Sequence, residues 1–111
     1  MDEMFKVITE FENYEISNIG NINNIGIYKG YKIKKYPNIE KKSGYYKIGL
    51  SRDGKNYTRH VHRLIAEAFL ENPDNKDCVV HKDGNKLNNH VDNLEWSTRL
   101  EISRKIKNKN I

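Results

Sequence analysis

At 111 residues the chain has room for one domain or two small modules sharing a core, and 36% hydrophobic against 32% charged residues keeps that core modest. No apolar run reaches the roughly 18 residues of a membrane span, the N-terminal stretch is acidic and lacks the apolar centre of a signal peptide, and Cys78 alone excludes an internal disulfide, so the sequence reads as cytoplasmic. The net charge of +5, from 20 Lys and Arg against 15 Asp and Glu, is clustered: Lys29, Lys32, Lys34, Lys35, Lys41, Lys42 and Lys47 in one segment, Arg99, Arg104, Lys105, Lys107 and Lys109 in another. Two such patches suit a polyanion, because each cation set against a phosphate releases a counterion.

The first half reads as short strands parted by turn residues. Strands are expected at Tyr14–Ser17, 21–23, Tyr31–Lys35 and Tyr45–Leu50, with breaks at Asn18-Ile19-Gly20, Lys29-Gly30, Tyr36-Pro37-Asn38 and Lys42-Ser43-Gly44. Tyr46, Ile48 and Leu50 alternate with Tyr45, Lys47 and Gly49, the pattern of a half-buried strand. An Asp53-Gly54 turn then leads to a strand over 57–61, which makes a hairpin.

From His62 the period changes. Leu64, Ile65, Ala68 and Phe69 fall on one helical stripe, and Glu71-Asn72-Pro73-Asp74-Asn75 ends it. Cys78-Val79-Val80 predicts a short strand running into His81, and Leu94-Glu95-Trp96 a second one after an Asn-rich loop. Ser97 or Thr98 can cap a last helix from Arg99 to about Lys107, with Glu101 in its first turn. His60 and His62 stand two apart at the strand-to-helix boundary, and one cysteine without paired spacing argues against a zinc site there. His90 is by default a solvated loop histidine, and Trp96 an anchor between hairpin and helix.

The run Val80-His81-Lys82-Asp83-Gly84-Asn85-Lys86-Leu87-Asn88-Asn89-His90-Val91-Asp92-Asn93-Leu94-Glu95-Trp96 resembles the HNH motif of phage and intron homing endonucleases. Val61-His62-Arg63-Leu64-Ile65-Ala66-Glu67-Ala68-Phe69 is similar to the helix leading into that motif. Phe11 to Gly20 and Gly44 to Lys55 resemble the small NUMOD-type module that accompanies it. The resemblance implies an α+β chain: an N-terminal antiparallel β module over 1–55, then a ββα-metal (His-Me finger) hairpin and helix over 56–111. It makes His81 the general base, a role an imidazole suits because its ordinary pKa lies near working pH. Asn93 becomes the middle Asn that ties the loop and helps to orient the histidine.

At two positions the chain departs from the pattern. The family places Asp or Asn directly before the base histidine and His or Asn six residues after the Trp, both as metal ligands; this chain has Val80 and Ile102. Neither side chain has a lone pair for Mg²⁺. Asp83 and Glu101 are the substitutes at hand, although Glu101 is turned about 100° from Ile102 on a helix. Lys32, Lys34, Lys35, Arg52, Lys82, Arg99, Arg104 and Lys105 are the expected nucleic-acid contacts. The family's further C-terminal DNA-recognition region is not found before Ile111, so recognition of a long target is expected to be weak. The function implied is a nucleic-acid-binding, regulatory protein on a nuclease scaffold, with double-stranded DNA as partner and a host or phage protein, such as a defence complex it inhibits, as another. The alternative is an active Mg²⁺-dependent DNA-nicking enzyme.

Overall fold

Nine short strands, two helices and a 3₁₀ turn make up the described part of a computed structural model, which describes residues 2–27 and 30–109, with the backbone alone from 105 onward. Lys29, and the side chains of Lys105, Lys107 and Lys109, therefore lie outside the described residues. The first sheet is antiparallel, in the order β1 (Phe5–Ile8), β2 (Phe11–Ser17), β3 (Ile22–Asn24) and β4 (Ile33–Lys35). The second comprises β5 (Asn38–Ile39), β6 (Tyr46–Arg52) and β7 (Lys55–His60). Asp53 and Gly54 join β6 to β7, both at positive φ (53° and 76°), as a two-residue hairpin loop with strand-matched twist requires. Ile48 and Leu50 point inward from β6, as the alternation predicts.

Helix α1 (Val61–Phe69) follows β7 without a loop and starts one residue earlier than the sequence periodicity indicates. Val61 is buried in the core, where a β-branched apolar residue fits a strand end and a first helical turn equally. After it, β8 (Cys78–His81) pairs antiparallel with β9 (Leu94–Ser97), and a 3₁₀ turn over Val91–Asn93 precedes β9. Helix α2 (Arg99–Lys109) is the last described element, its first turn capped by Thr98 Oγ1, which accepts from the Glu101 amide at 3.2 Å. The architecture is α+β, antiparallel sheets followed by a ββα hairpin and helix.

One apolar cluster holds these pieces. Phe11, Ile16 and Ile22 of the first sheet, Ile48 and Leu50 of the second, Val61, Leu64 and Ile65 of α1, and Val91 and Leu94 beside β9 pack together. At about 25 cal/mol per Å² of apolar surface removed from water, burial of side chains this size is the main stabilising term. Polar seams tie the halves as well: the Val91 amide donates to Asn18 O at 2.9 Å, and Lys86 Nζ to Ser43 O at 2.7 Å. These contacts set the loop between β8 and β9 against the N-terminal sheets.

Candidate nuclease-like site

Strand β8 delivers His81 as its last residue, paired across the ladder with Leu94. Because side chains alternate along a strand, Val79 joins the core while Val80 takes the other face of the hairpin. His81 Nε2 donates to Asn89 Oδ1 at 2.7 Å. An oxygen acceptor there fixes the proton on Nε2, so Nδ1 carries the lone pair. Asn89, 8% exposed, is the side chain that meets the imidazole, a pairing that the sequence does not single out. The only signal for it was one Asn among several in the loop.

The histidine stands in a stack of rings. His62 lies 4.9 Å from His81 and 4.5 Å from Tyr45, centroid to centroid, and Tyr45 stacks on His81 at 5.7 Å and 17°. His60 completes the row at 5.5 Å from His62, with its Nε2 3.4 Å from Glu40 Oε1. His62 is 7% exposed and its Nδ1 has no hydrogen-bond partner among the described residues. Burial, reinforced by the neighbouring His81, His60 and Arg63, lowers its pKa from 6.5 to about 4, so it is neutral at pH 7.

Asn93 clasps the loop that follows His81. Its Oδ1 accepts from the Asp83 amide at 3.1 Å, and its Nδ2 donates to Asp83 Oδ1 at 3.0 Å and to Asn88 O at 2.8 Å. The hydrogen bond to the imidazole comes from Asn89 and not from Asn93. His90 is engaged too: its Nδ1 caps the 3₁₀ turn by accepting from the Asp92 amide at 3.2 Å.

The two carboxylates expected as substitute ligands, Asp83 and Glu101, have other partners. Asp83 accepts from Asn88, from the Asn85 amide and from Asn93, which hold its pKa below the usual carboxylate range. Glu101 pairs with Lys76 at 2.9 Å and accepts from Ser97 Oγ at 3.3 Å, which holds it low as well. Val80 and Ile102 are half-buried hydrocarbons. Among the described residues no group of three or more His, Cys, Asp or Glu is placed to hold a metal ion.

The basic residues are dispersed. Lys34 and Lys35 lie on β4, the edge of the first sheet, and Lys32 directly before it, yet Lys32 pairs with Glu15 at 3.0 Å and Lys35 Nζ donates to Gly49 O at 2.6 Å. Arg52 lies over the Phe11 and Tyr57 rings and donates to Glu10 O at 3.0 Å. Lys82 is exposed directly after His81, and Arg99 and Arg104 are exposed on α2. No helix of the described residues is long and apolar enough to cross a membrane.

Comparison with known proteins matches this geometry. Residues 59–104 fit the family model described as HNH endonuclease. The chain is 42% identical over 90 residues to the DNA endonuclease I-HmuI of Bacillus phage SP01, covering 78% of this chain and 47% of that protein. It is 46% identical over 93 residues to the uncharacterized HNH endonuclease L245 of Acanthamoeba polyphaga mimivirus, covering 84% of this chain and 26% of the relative. Against the solved structure of I-HmuI, described as binding and cleaving DNA, it superposes with a TM-score of 0.80 at 35% identity, over 97% of this chain and 60% of that one. The chain thus spans half or less of the curated relatives' length. By the fitted motif and the shared fold, residues 59–104 form an HNH endonuclease module in a chain with the fold of I-HmuI.

Proposed function

We propose that the chain is a DNA-binding protein on the HNH homing-endonuclease scaffold in which phosphodiester cleavage is weak or lost. The observation that carries this reading is the donor set. Positions 80 and 102 present hydrocarbon, and Asp83 and Glu101 are held by other partners. A hard cation such as Mg²⁺ takes oxygen ligands in near-octahedral geometry and supplies charge neutralisation to the phosphate. The residues present do not fit that ion.

What is retained is the protein part of the apparatus. His81 is the family's general base, with Nδ1 free to take a proton from water once Asn89 holds Nε2–H. Asn93 is a positioning residue, fixing the loop in which His81 sits. DNA as the partner is supported by the +5 charge and by the likeness to I-HmuI, with Lys34, Lys82, Arg99 and Arg104 as the exposed cations offered to phosphates. A scaffold that binds without cutting suits a regulatory task, such as inhibition of a host defence complex, because function resides in the site and not in the fold.

A second reading, an active nicking enzyme, is favoured by one observation: the His81–Asn89 pair is intact. The variant Val80→Asp with Ile102→Asn separates the two. If donors were lost, it gains nicking of supercoiled plasmid with Mg²⁺ that the unaltered chain lacks. Equal nicking by both proteins sinks the proposal.

A further inference from the structure

Asn89 has a second side. Its Oδ1 accepts from His81, while its Nδ2, which is not among the buried polar atoms left without a partner, makes no hydrogen bond among the described residues and keeps contact with solvent. The same residue lines a groove of about 290 Å³ formed with Ile19, Tyr36, Tyr46 and Leu87. At the mouth three large apolar side chains face solvent: Tyr36 at 73% exposure, Leu87 at 49% and Ile19 at 43%. A contiguous apolar mouth of this kind, with one convergent polar group, marks a ligand site more than a packing remnant. Lys34 sets its ammonium 5.4 Å from the Tyr36 ring centroid, so the rim is cationic as well as aromatic.

We infer that this groove is a nucleoside-binding site, in which the base of the nucleotide next to the phosphate at His81 lies against the Tyr36 ring while Asn89 Nδ2 donates to an acceptor on its edge. The inference rests on the DNA-binding reading and deepens it. Four features select a base over other occupants. An aromatic face and an apolar wall match a base's flat surface. The amide supplies a donor, and every base, once drawn out of the stack so that its face is free for the ring, carries acceptors along its edge. Lys34 complements the phosphate that accompanies the base. Asn89 itself couples the groove to the histidine, so one side chain sets the imidazole tautomer and registers the nucleotide beside it. The recognition is tolerant of sequence, because stacking and a shared acceptor do not tell the bases apart.

The test is ultraviolet cross-linking of the full chain to a DNA duplex carrying 5-iodouracil in place of thymine, mapped by mass spectrometry, beside an anisotropy titration with the same duplex. Tyr36→Ser and Leu87→Ser alter exposed side chains and leave the core alone. The expected result is a cross-link on Tyr36, lost in Tyr36→Ser and kept in Tyr36→Phe, with affinity about tenfold weaker for the serine variant. Binding with no cross-link to Tyr36 and unchanged affinity in both serine variants overturns the groove while leaving the DNA-binding reading intact. A concentration-dependent dimer abolished by Tyr36→Ser would assign the groove to a second copy and overturn it too. No binding by the unaltered chain overturns both.

Discussion

His62 gives the sharpest handle on the ring stack, because its burial has a calculable consequence. In the unfolded chain its pKa is the ordinary 6.5; in the folded protein it is about 4. Between those values the unfolded state binds one proton that the folded state refuses, so folding stability is complete above pH 6.5 and falls as pH is lowered. The loss runs at about 1.4 kcal/mol per pH unit and reaches about 3 kcal/mol by pH 4. For a domain stable by roughly 5–15 kcal/mol that is a large share. Urea unfolding followed through Trp96 fluorescence at pH 7 and pH 4.5 measures it. His62→Phe keeps a ring against Tyr45 and removes both the titration and the orphaned Nδ1, so its stability at pH 7 is equal or higher. Its drop between the two pH values is smaller than wild type's by about 2 kcal/mol. Glu3, Glu40, Asp83 and Glu101, all held below the usual carboxylate range, also lose stabilisation as pH falls, but equally in both proteins, so the difference between them isolates His62. Parallel losses in the two proteins would refute the assignment of this proton to His62.

Asn93→Ala removes three hydrogen bonds from a half-buried side chain and is expected to lower stability by about 1–3 kcal/mol. Amide exchange at Asp83 should accelerate with it, whereas unchanged exchange would show that the loop holds without the clasp. The lysines at and just before β4 should part ways. Lys32→Ala strips the cation from Glu15, whose side chain is only 10% exposed, and costs about 1–2 kcal/mol in urea unfolding. Lys34→Ala leaves stability unchanged and reduces the salt slope of DNA binding by about 1.

Local chemistry made much of the fold legible. The Asp53-Gly54 hairpin could be read because a two-residue turn demands residues that tolerate positive φ, and α1 because its apolar stripe has a period no strand shares. Strand β1 escaped notice: Phe5 and Val7 are 36% and 51% exposed on an edge, so burial leaves no alternation to read. Two-residue β5 begins directly after Pro37 and is defined only by its pairing with Tyr46 and Lys47. At the site, His81 and Asn93 stood out through a contiguous motif. The Asn89 bond, the His62–Tyr45 packing and the pairing of Lys32 with Glu15 join residues that spacing does not relate, and only the folded chain brings them together.

The most direct test of the central claim is a supercoiled-plasmid nicking assay on the unaltered chain and His81→Ala with Mg²⁺, Mn²⁺ or EDTA, run beside a DNA-binding titration. The account predicts salt-sensitive binding by both proteins and no metal-dependent nicking by either. Nicking by the unaltered chain that EDTA and His81→Ala each abolish would contradict it.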